Sequence, residues 1–500
     1  MSELLIRGAR KAYGATLALR RGDLHLHPGE VHVLIGANGS GKSTLCKIVA
    51  GSVKPDAGEV LLDGKPVTIA GPQAARALGI GIFYQELSLA ARRTVAENIH
   101  LPALPVRGGV FVDRAALEDK AKRIIADFAD VVGEGFSADA PVDALRADQR
   151  QLVEIMKALA TDAPILIFDE PTSALDRAQV DRFFEILRRL KGEGRAIIFI
   201  SHRMDEIFAI GDRVTVIRDG ETVATSMIAD TNQATIIRQM VGEREELAAP
   251  SVAPAAHATS RAAVLSIQGL SGPGFRNVGF EVARGEILGF GGLHGQGQSA
   301  VMRAIFGASS HQAGSILLNG KAHAMRSPRE AIAAGCAYVS GDRRRDGILQ
   351  GRPILENATP IHFLRNRLML ARPSRLREEA LKPLQALKTK FQALDQAINS
   401  LSGGNQQKIV IARWLIDRPD VLLLDDPTKG IDLAAKTDLF ALIRELAAEG
   451  MGIVLYSSED AELLNNADRI LVFNSGSVTR ELTGADRTRY NLYHAAYEAA

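Results

Sequence analysis

Apolar positions along the chain fall into two kinds of run. Short β-rich stretches at Val31 to Ile35, Ile165 to Phe168, Ala196 to Ile200 and Val214 to Ile217 are separated by amphipathic segments such as Val180 to Leu190. That alternation predicts an α/β core with a mostly parallel sheet. From about residue 90 to 160 the pattern turns helical: Leu117, Ala121, Ile124, Ile125 and Phe128 recur at helical spacing. This predicts a helical subdomain inserted ahead of Ile165 to Phe168. No apolar run approaches the roughly 18 residues that a membrane span requires, so any membrane is expected to be met through a partner.

The same landmarks return at a fixed interval. Gly36 matches Gly292, Leu145 matches Leu401, Asp169 matches Asp425 and Asp176 matches Asp432, each pair 256 positions apart. The stretch Asp56-Ala-Gly-Glu-Val-Leu-Leu-Asp-Gly-Lys65 is answered by Gln312-Ala-Gly-Ser-Ile-Leu-Leu-Asn-Gly-Lys321. Duplication of one domain explains this register. It predicts a first domain over 1–243, an Ala/Pro/Ser-rich linker over 244–262 and a second domain over 263–500.

Composition narrows the function. A chain of 500 residues exceeds what one core organises, in keeping with two domains. A formal charge of +2 offers no broad basic surface for nucleic acid. Cys46 and Cys336 lie in different halves without metal-ligand spacing, and no apolar segment of a secretion signal follows Met1 to Ala9. A reducing cytoplasm is expected, with both thiols buried as small hydrophobes.

Gly36-Ala-Asn38-Gly39-Ser40-Gly41-Lys42-Ser43 fits the phosphate-loop pattern GxxxxGK[ST], with an apolar run before it and a helix from Thr44 after it. Its glycines let backbone N–H groups turn onto phosphate oxygens. Lys42 meets the β- and γ-phosphates, and the Ser43 hydroxyl is placed for Mg²⁺. Ile165-Leu-Ile-Phe-Asp169-Glu170 is an apolar strand ending in two carboxylates, with Asp169 for Mg²⁺ and Glu170 to polarise water.

Leu401-Ser402-Gly403-Gly404-Asn-Gln-Gln407 resembles the signature of ATP-binding cassette (ABC) proteins, and the other motifs of that family stand in order around it. Lys11-Ala-Tyr13-Gly resembles the aromatic loop that stacks on adenine. Tyr84-Gln85-Glu86 resembles the Q-loop, which implies a catalytic and Mg²⁺ contact for Gln85. Ser173-Ala-Leu-Asp176 resembles the D-loop, and Ser201-His202 the switch histidine. The twin arrangement, the run Leu401 to Leu415 and Tyr338-Val-Ser-Gly-Asp-Arg343 are similar to the ATP subunits of bacterial ribose, galactose and xylose importers. That resemblance implies two P-loop cassettes, each with a helical subdomain, binding ATP and Mg²⁺. It implies a peripheral place on the cytoplasmic face of the cell membrane. The expected partners are permease subunits, as a homodimer, and through them a periplasmic sugar-binding protein, with grooves beside Gln85 to Asn98 and Gly341 to Asn357 receiving the permease.

Followed through the 256-residue register, Lys42 becomes Gln298, Gln85 becomes Gly341, Glu170 becomes Asp426 and His202 becomes Ser458. In the other direction Ser402-Gly403-Gly404 corresponds to Arg146-Ala147-Asp148. Cassettes of this family pair head to tail. The resemblance therefore implies one competent site, joining Lys42, Ser43, Gln85, Asp169, Glu170 and His202 to Ser402, Gly403 and Gly404, and one degenerate site. In the degenerate site Asp148 is expected to repel a γ-phosphate, with Arg146 offsetting part of its charge. A twin cassette acting on ribosomes or nucleic acid is the alternative; such relatives carry a charged linker and two intact sites.

Overall fold

The structure, a computed structural model, describes residues 2–14, 16–37, 39–83, 87–108, 111–242, 262–429, 431 and 433–497. The linker stretch 244–261 and the residues Asn38, Tyr84, Gln85, Glu86 and Asp432 lie outside the described residues. The chain divides into two compact units, Met1–Gly242 and Glu243–Ala500.

In the first unit the strands Ile80–Phe83, Ile165–Asp169, Ala196–Ile200, Val31–Ile35 and Arg213–Arg218 lie side by side in that order, all parallel. Every residue of Val31–Ile35 and Ala196–Ile200 is buried, as expected of strands covered on both faces. The helix Arg177–Gly192 supplies one cover: Phe183 meets Phe168 edge-on at 5.2 Å, and Phe184 meets Phe199 at 5.9 Å. Asp176 starts that helix by accepting from Gln179 N–H, in a reciprocal capping box.

The sheet is less parallel than the sequence pattern predicts. It continues into an antiparallel arm in which Leu4–Tyr13 pairs with Thr16–Leu26 on one side and Ala57–Leu62 on the other. One face of the arm is solvated, so its strands interleave charges such as Arg7, Arg10 and Arg20 with apolar residues and lack a continuous apolar run.

The helical subdomain stands where predicted, with Val95–Ile99, Arg114–Ala126 and Ala147–Leu159 between the strands Ile80–Phe83 and Ile165–Asp169. Leu117 and Ala121 are its buried stripe. Phe128 lies past the helix end yet is fully buried.

The second unit repeats this plan. Cys336–Val339, Val421–Asp425, Gly452–Tyr456, Ile287–Gly292 and Arg469–Asn474 form the parallel set, and Ala263–Gly272, Phe275–Ala283 and Ala313–Leu318 form the antiparallel arm. The duplication extends to backbone strain. Non-glycine residues in the left-handed region recur 256 apart, at Asp63 and Asn319, Glu170 and Asp426, and Asp219 and Ser475. Inside the helical subdomain the register shifts to 259. There Asn98 accepts from Ala90 N–H, and Asn357 accepts from Leu349 N–H, each at 2.7 Å. Cys46 and Cys336 are both buried, which pushes both thiols up, Cys336 to about 12. Among the described residues no helix is long and apolar enough to cross a membrane.

Candidate active site

The phosphate loop runs from the end of the buried strand Val31–Ile35 to the helix Lys42–Val49. Two of its glycines are required by space. A Cβ on Gly36 would stand 2.1 Å from Ile217 O, and one on Gly41, at φ 108°, would stand 2.8 Å from Ala18 O. The loop is braced from below, where Gly220 N–H donates to Ser40 O at 3.0 Å. Lys42 folds back so that its ammonium donates to Gly36 O at 2.6 Å and Ala37 O at 2.9 Å. Burial pushes Lys42 down, while the charges of Glu170 and Asp169 pull it up.

The carboxylates end the strand Ile165–Asp169, which is separated from the phosphate-loop strand by Ala196–Ile200. Ile200 is level with Asp169 in the parallel register, so Ser201-His202 emerges beside Asp169-Glu170. His202 Nδ1 lies 3.3 Å from Glu170 Oε1, both side chains being partly exposed. Glu170 sits at φ 52°, and its N–H donates to Ile200 O at 3.0 Å. Such a left-handed glutamate is strained and costs on the order of 1 kcal/mol. Burial raises Asp169 to about 6, and the charge of Glu170 adds to this. Lys42 and a hydrogen bond from Ser43 oppose it. Beneath the switch, Ser201 and Thr172 both donate to the buried Glu206, at 2.6 and 3.0 Å.

A Mg²⁺-bound triphosphate fits these residues. Ser43 and Asp169 offer the hard oxygen donors that Mg²⁺ takes. Ser40 Oγ is buried in the loop without a hydrogen-bond partner among the described residues. Tyr13 ends the strand Leu4–Tyr13 with 47% of its surface exposed, and the Lys11 ammonium stands 5.8 Å from its ring centre.

The structure thus brings Lys42, Ser43, Asp169, Glu170 and His202 together, with Gly36, Gly39, Ser40, Gly41 and Thr44 in or beside the loop. Asn38 and Gln85 lie outside the described residues. Ser402, Gly403 and Gly404 belong to the second unit, where Ser402 precedes the helix Gly403–Leu415 and accepts from Asn405 Nδ2 at 3.0 Å.

The counterpart loop of the second unit is bonded to itself. Gln298 Nε2 donates to Gly291 O at 3.2 Å and Leu293 O at 3.0 Å, in the manner of the lysine amine but without its charge. Ser299 and Tyr338 each donate to a different oxygen of Asp425, both at 2.6 Å. Ser458 N–H and hydroxyl both donate to Asp426 Oδ1 at 3.1 Å, and Tyr456 OH pairs with His294 Nδ1 at 2.9 Å. Burial pushes Asp425 up, and Tyr338 and Tyr456 well up.

Sequence reasoning missed the two tyrosines. The signal was present, because Tyr338 and Tyr456 replace Ile82 and Ile200 at positions flanking the carboxylate strand. The scaffold below is kept: Ser457 and Thr428 donate to Glu462, as Ser201 and Thr172 do to Glu206.

Asp148 is tied down within its own unit. Arg146 grips it with two bonds, at 3.0 and 3.2 Å, and Gln179 Nε2 donates to it at 3.1 Å. Chiefly through Arg146, its carboxyl is held at about 2. The compensation expected from Arg146 is therefore a bidentate ion pair, joined by a second partner, Gln179, that the sequence did not reveal.

Two cassettes of parallel sheet, phosphate loop and inserted helices define an ATP-binding cassette ATPase. The ABC transporter family profile matches twice, at residues 19–173 and 275–429, and the chain belongs to that family. It is 43% identical over 498 residues to a protein of Burkholderia lata named for ribose/galactose/methyl galactoside import ATP binding, covering 99% of this chain and 96% of that one. To a ribose import ATP-binding protein of Rubrobacter xylanophilus it is 42% identical over 504 residues, covering 99% of each. A solved nucleotide-free ATP-binding cassette from an ABC transporter aligns with 49% of this chain and 100% of its own, at 24% identity and a TM-score of 0.41.

Proposed function

We propose that this chain hydrolyses ATP at one composite site, joining the phosphate loop and carboxylates of its first half to the signature of its second, and uses it to drive import of a monosaccharide or similar small polar solute through a partner permease. One observation carries the single-site reading. Lys42, Ser43, Asp169, Glu170 and His202 converge on a loop whose Ser40 hydroxyl lacks a partner among the described residues, whereas in the second half Ser299 and Tyr338 both bond Asp425 and Ser458 bonds Asp426.

Lys42 neutralises the transferring phosphoryl oxygens, and Glu170 orients and deprotonates the attacking water. His202, against Glu170, positions that carboxylate and contacts the γ-phosphate. Tyr13 stacks on adenine. Ser43 and Asp169, with Gln85, would hold Mg²⁺, which when bound would neutralise charge on the phosphates. Ser402, Gly403 and Gly404 cap the nucleotide from the second half. The names of the import relatives support a sugar as the solute and import as the process; permease subunits as a homodimer, a periplasmic sugar-binding protein and a place on the cytoplasmic face of the membrane complete the proposal.

Co-expression with a sugar permease tests this reading. The chain is expected to co-purify with it and to support ATP-dependent sugar uptake in vesicles. ATP turnover without co-purification or uptake would sink the importer reading and leave the ATPase standing.

A further inference from the structure

Away from the catalytic strands, the outward face of the amino-terminal hairpin gathers Glu3, His25 and His27. In its antiparallel register Leu4 faces Leu26, Leu5 faces His25 and Ile6 faces Leu24. Leu4, Ile6, Leu24 and Leu26 enter the core, so the alternate residues point outward. One more step of the same register sets Glu3 opposite His27.

His25 Nε2 lies 2.6 Å, and His27 Nδ1 3.4 Å, from the same oxygen, Glu3 Oε1. The two rings stand 3.9 Å apart, and one donor atom from each of the three residues lies within 4.8 Å of the others. The backbone on both sides is fixed. Glu3 N–H donates to Asp63 Oδ1 at 2.8 Å and Glu3 O accepts from Asp63 N–H at 2.9 Å, while His27 N–H donates to Glu30 Oε1 at 2.8 Å.

We infer that Glu3, His25 and His27 form a binding site for a divalent transition-metal ion, Zn²⁺, Ni²⁺ or Cu²⁺, separate from the Mg²⁺ of the ATPase. Two imidazole nitrogens and one carboxylate oxygen are the donor set these ions take, whereas Mg²⁺ takes oxygen alone. Bonds of about 2.0–2.1 Å in a tetrahedral shell place donors roughly 3.4 Å apart. The His27–Glu3 distance of 3.4 Å matches that value, and the His25–Glu3 distance of 2.6 Å lies below it, so side-chain rotation has to widen only the second pair. His25 and Glu3 keep 45% and 41% of their side-chain surface exposed, which leaves the outward position to water. A bound ion would staple the start of the first strand to the end of the second.

The test is a Zn²⁺ titration of the full, untagged, chelator-treated chain, followed by calorimetry. Saturable binding of one ion is expected. His25→Ala and His27→Ala should each weaken it by about tenfold or more, and Glu3→Gln should also weaken it. Wild type should gain thermal stability on adding Zn²⁺, and the His25→Ala/His27→Ala double variant should not. The Mg²⁺-dependent ATPase rate, read with Mg²⁺ present and Zn²⁺ absent, should be the same in all of them, which also reports that the variants are folded. Absence of saturable Zn²⁺ binding, or unchanged affinity in the folded double variant, would overturn the site.

Discussion

Lys42 and Gln298 both turn a side-chain nitrogen back onto backbone carbonyls of their own loop region, but Gln298 is shorter, meets Gly291 O where the register would place Gly292 O, and carries no charge. Loss of Lys42 removes transition-state stabilisation worth several kcal/mol, so Lys42→Ala should abolish steady-state hydrolysis, while Gln298→Ala should alter it little. Equal losses would contradict a single productive loop. Glu170→Gln keeps size and removes the base, and should trap one uncleaved ATP per chain in a filter assay, whereas Asp426→Asn should trap nothing extra. Asp169 gives a pH signature in the nucleotide-free, Mg²⁺-free protein. Its folded value, about 6, lies above the ordinary aspartate value, so its contribution to stability is complete at low pH and is lost as pH rises through 6. The side-chain amide introduced by Asp169→Asn does not titrate, so the melting temperature of that variant minus wild type should grow between pH 4 and 7. A flat difference would mean that Asp169 ionises normally. These residues were legible because each has a fixed place in a motif. Tyr338 and Tyr456 were not, because a tyrosine in a strand reads as core until its hydroxyl is seen to meet Asp425 or His294.

At the scale of elements, the helices Ala147–Leu159 and Gly403–Leu415 hold the same place in their units but begin differently. The first opens on Arg146 and Asp148, and Asp148 is tied to Gln179 of the helix Arg177–Gly192. Its counterparts in the second half are Ser402, Gly404 and Ala435, which cannot make that tie. Asp148→Gly should therefore cost on the order of 1 kcal/mol in chemical denaturation while leaving hydrolysis close to wild type. Gly404→Asp should do the reverse, cutting hydrolysis nearly as far as Lys42→Ala, and the double variant should be scarcely worse than either single one. Near-normal turnover in Gly404→Asp, with a large loss in Asp148→Gly, would mean that each half uses its own signature. The parallel strands and long helices were readable from period and length. The antiparallel arm was hidden by strands that face water on one side, and the three-residue shift inside the helical subdomain by its cancellation before the signature.

For the whole molecule, the duplicated backbone and the unequal chemistry predict one Mg²⁺-dependent nucleotide per chain in equilibrium binding, lost in Lys42→Ala and kept in Gln298→Ala. Two equivalent bound nucleotides would refute this. The carboxylate bracket below the switch is the feature with the longest reach. Thr428, Ser457 and Glu462 hold the same bonds as Thr172, Ser201 and Glu206, so the second half carries the same mount while Gln298, Asp426 and Ser458 stand where the first half has Lys42, Glu170 and His202. Re-arming it is then expected to need Gln298→Lys, Tyr338→Ile, Gly341→Gln, Asp426→Glu and Ser458→His in the second half, with Arg146→Ser, Ala147→Gly and Asp148→Gly in the first. On the one-site proposal the two halves are a matched pair, one frame built twice with different chemistry mounted on it, and turnover gained at the second mount would measure how much of an engine the frame alone supplies.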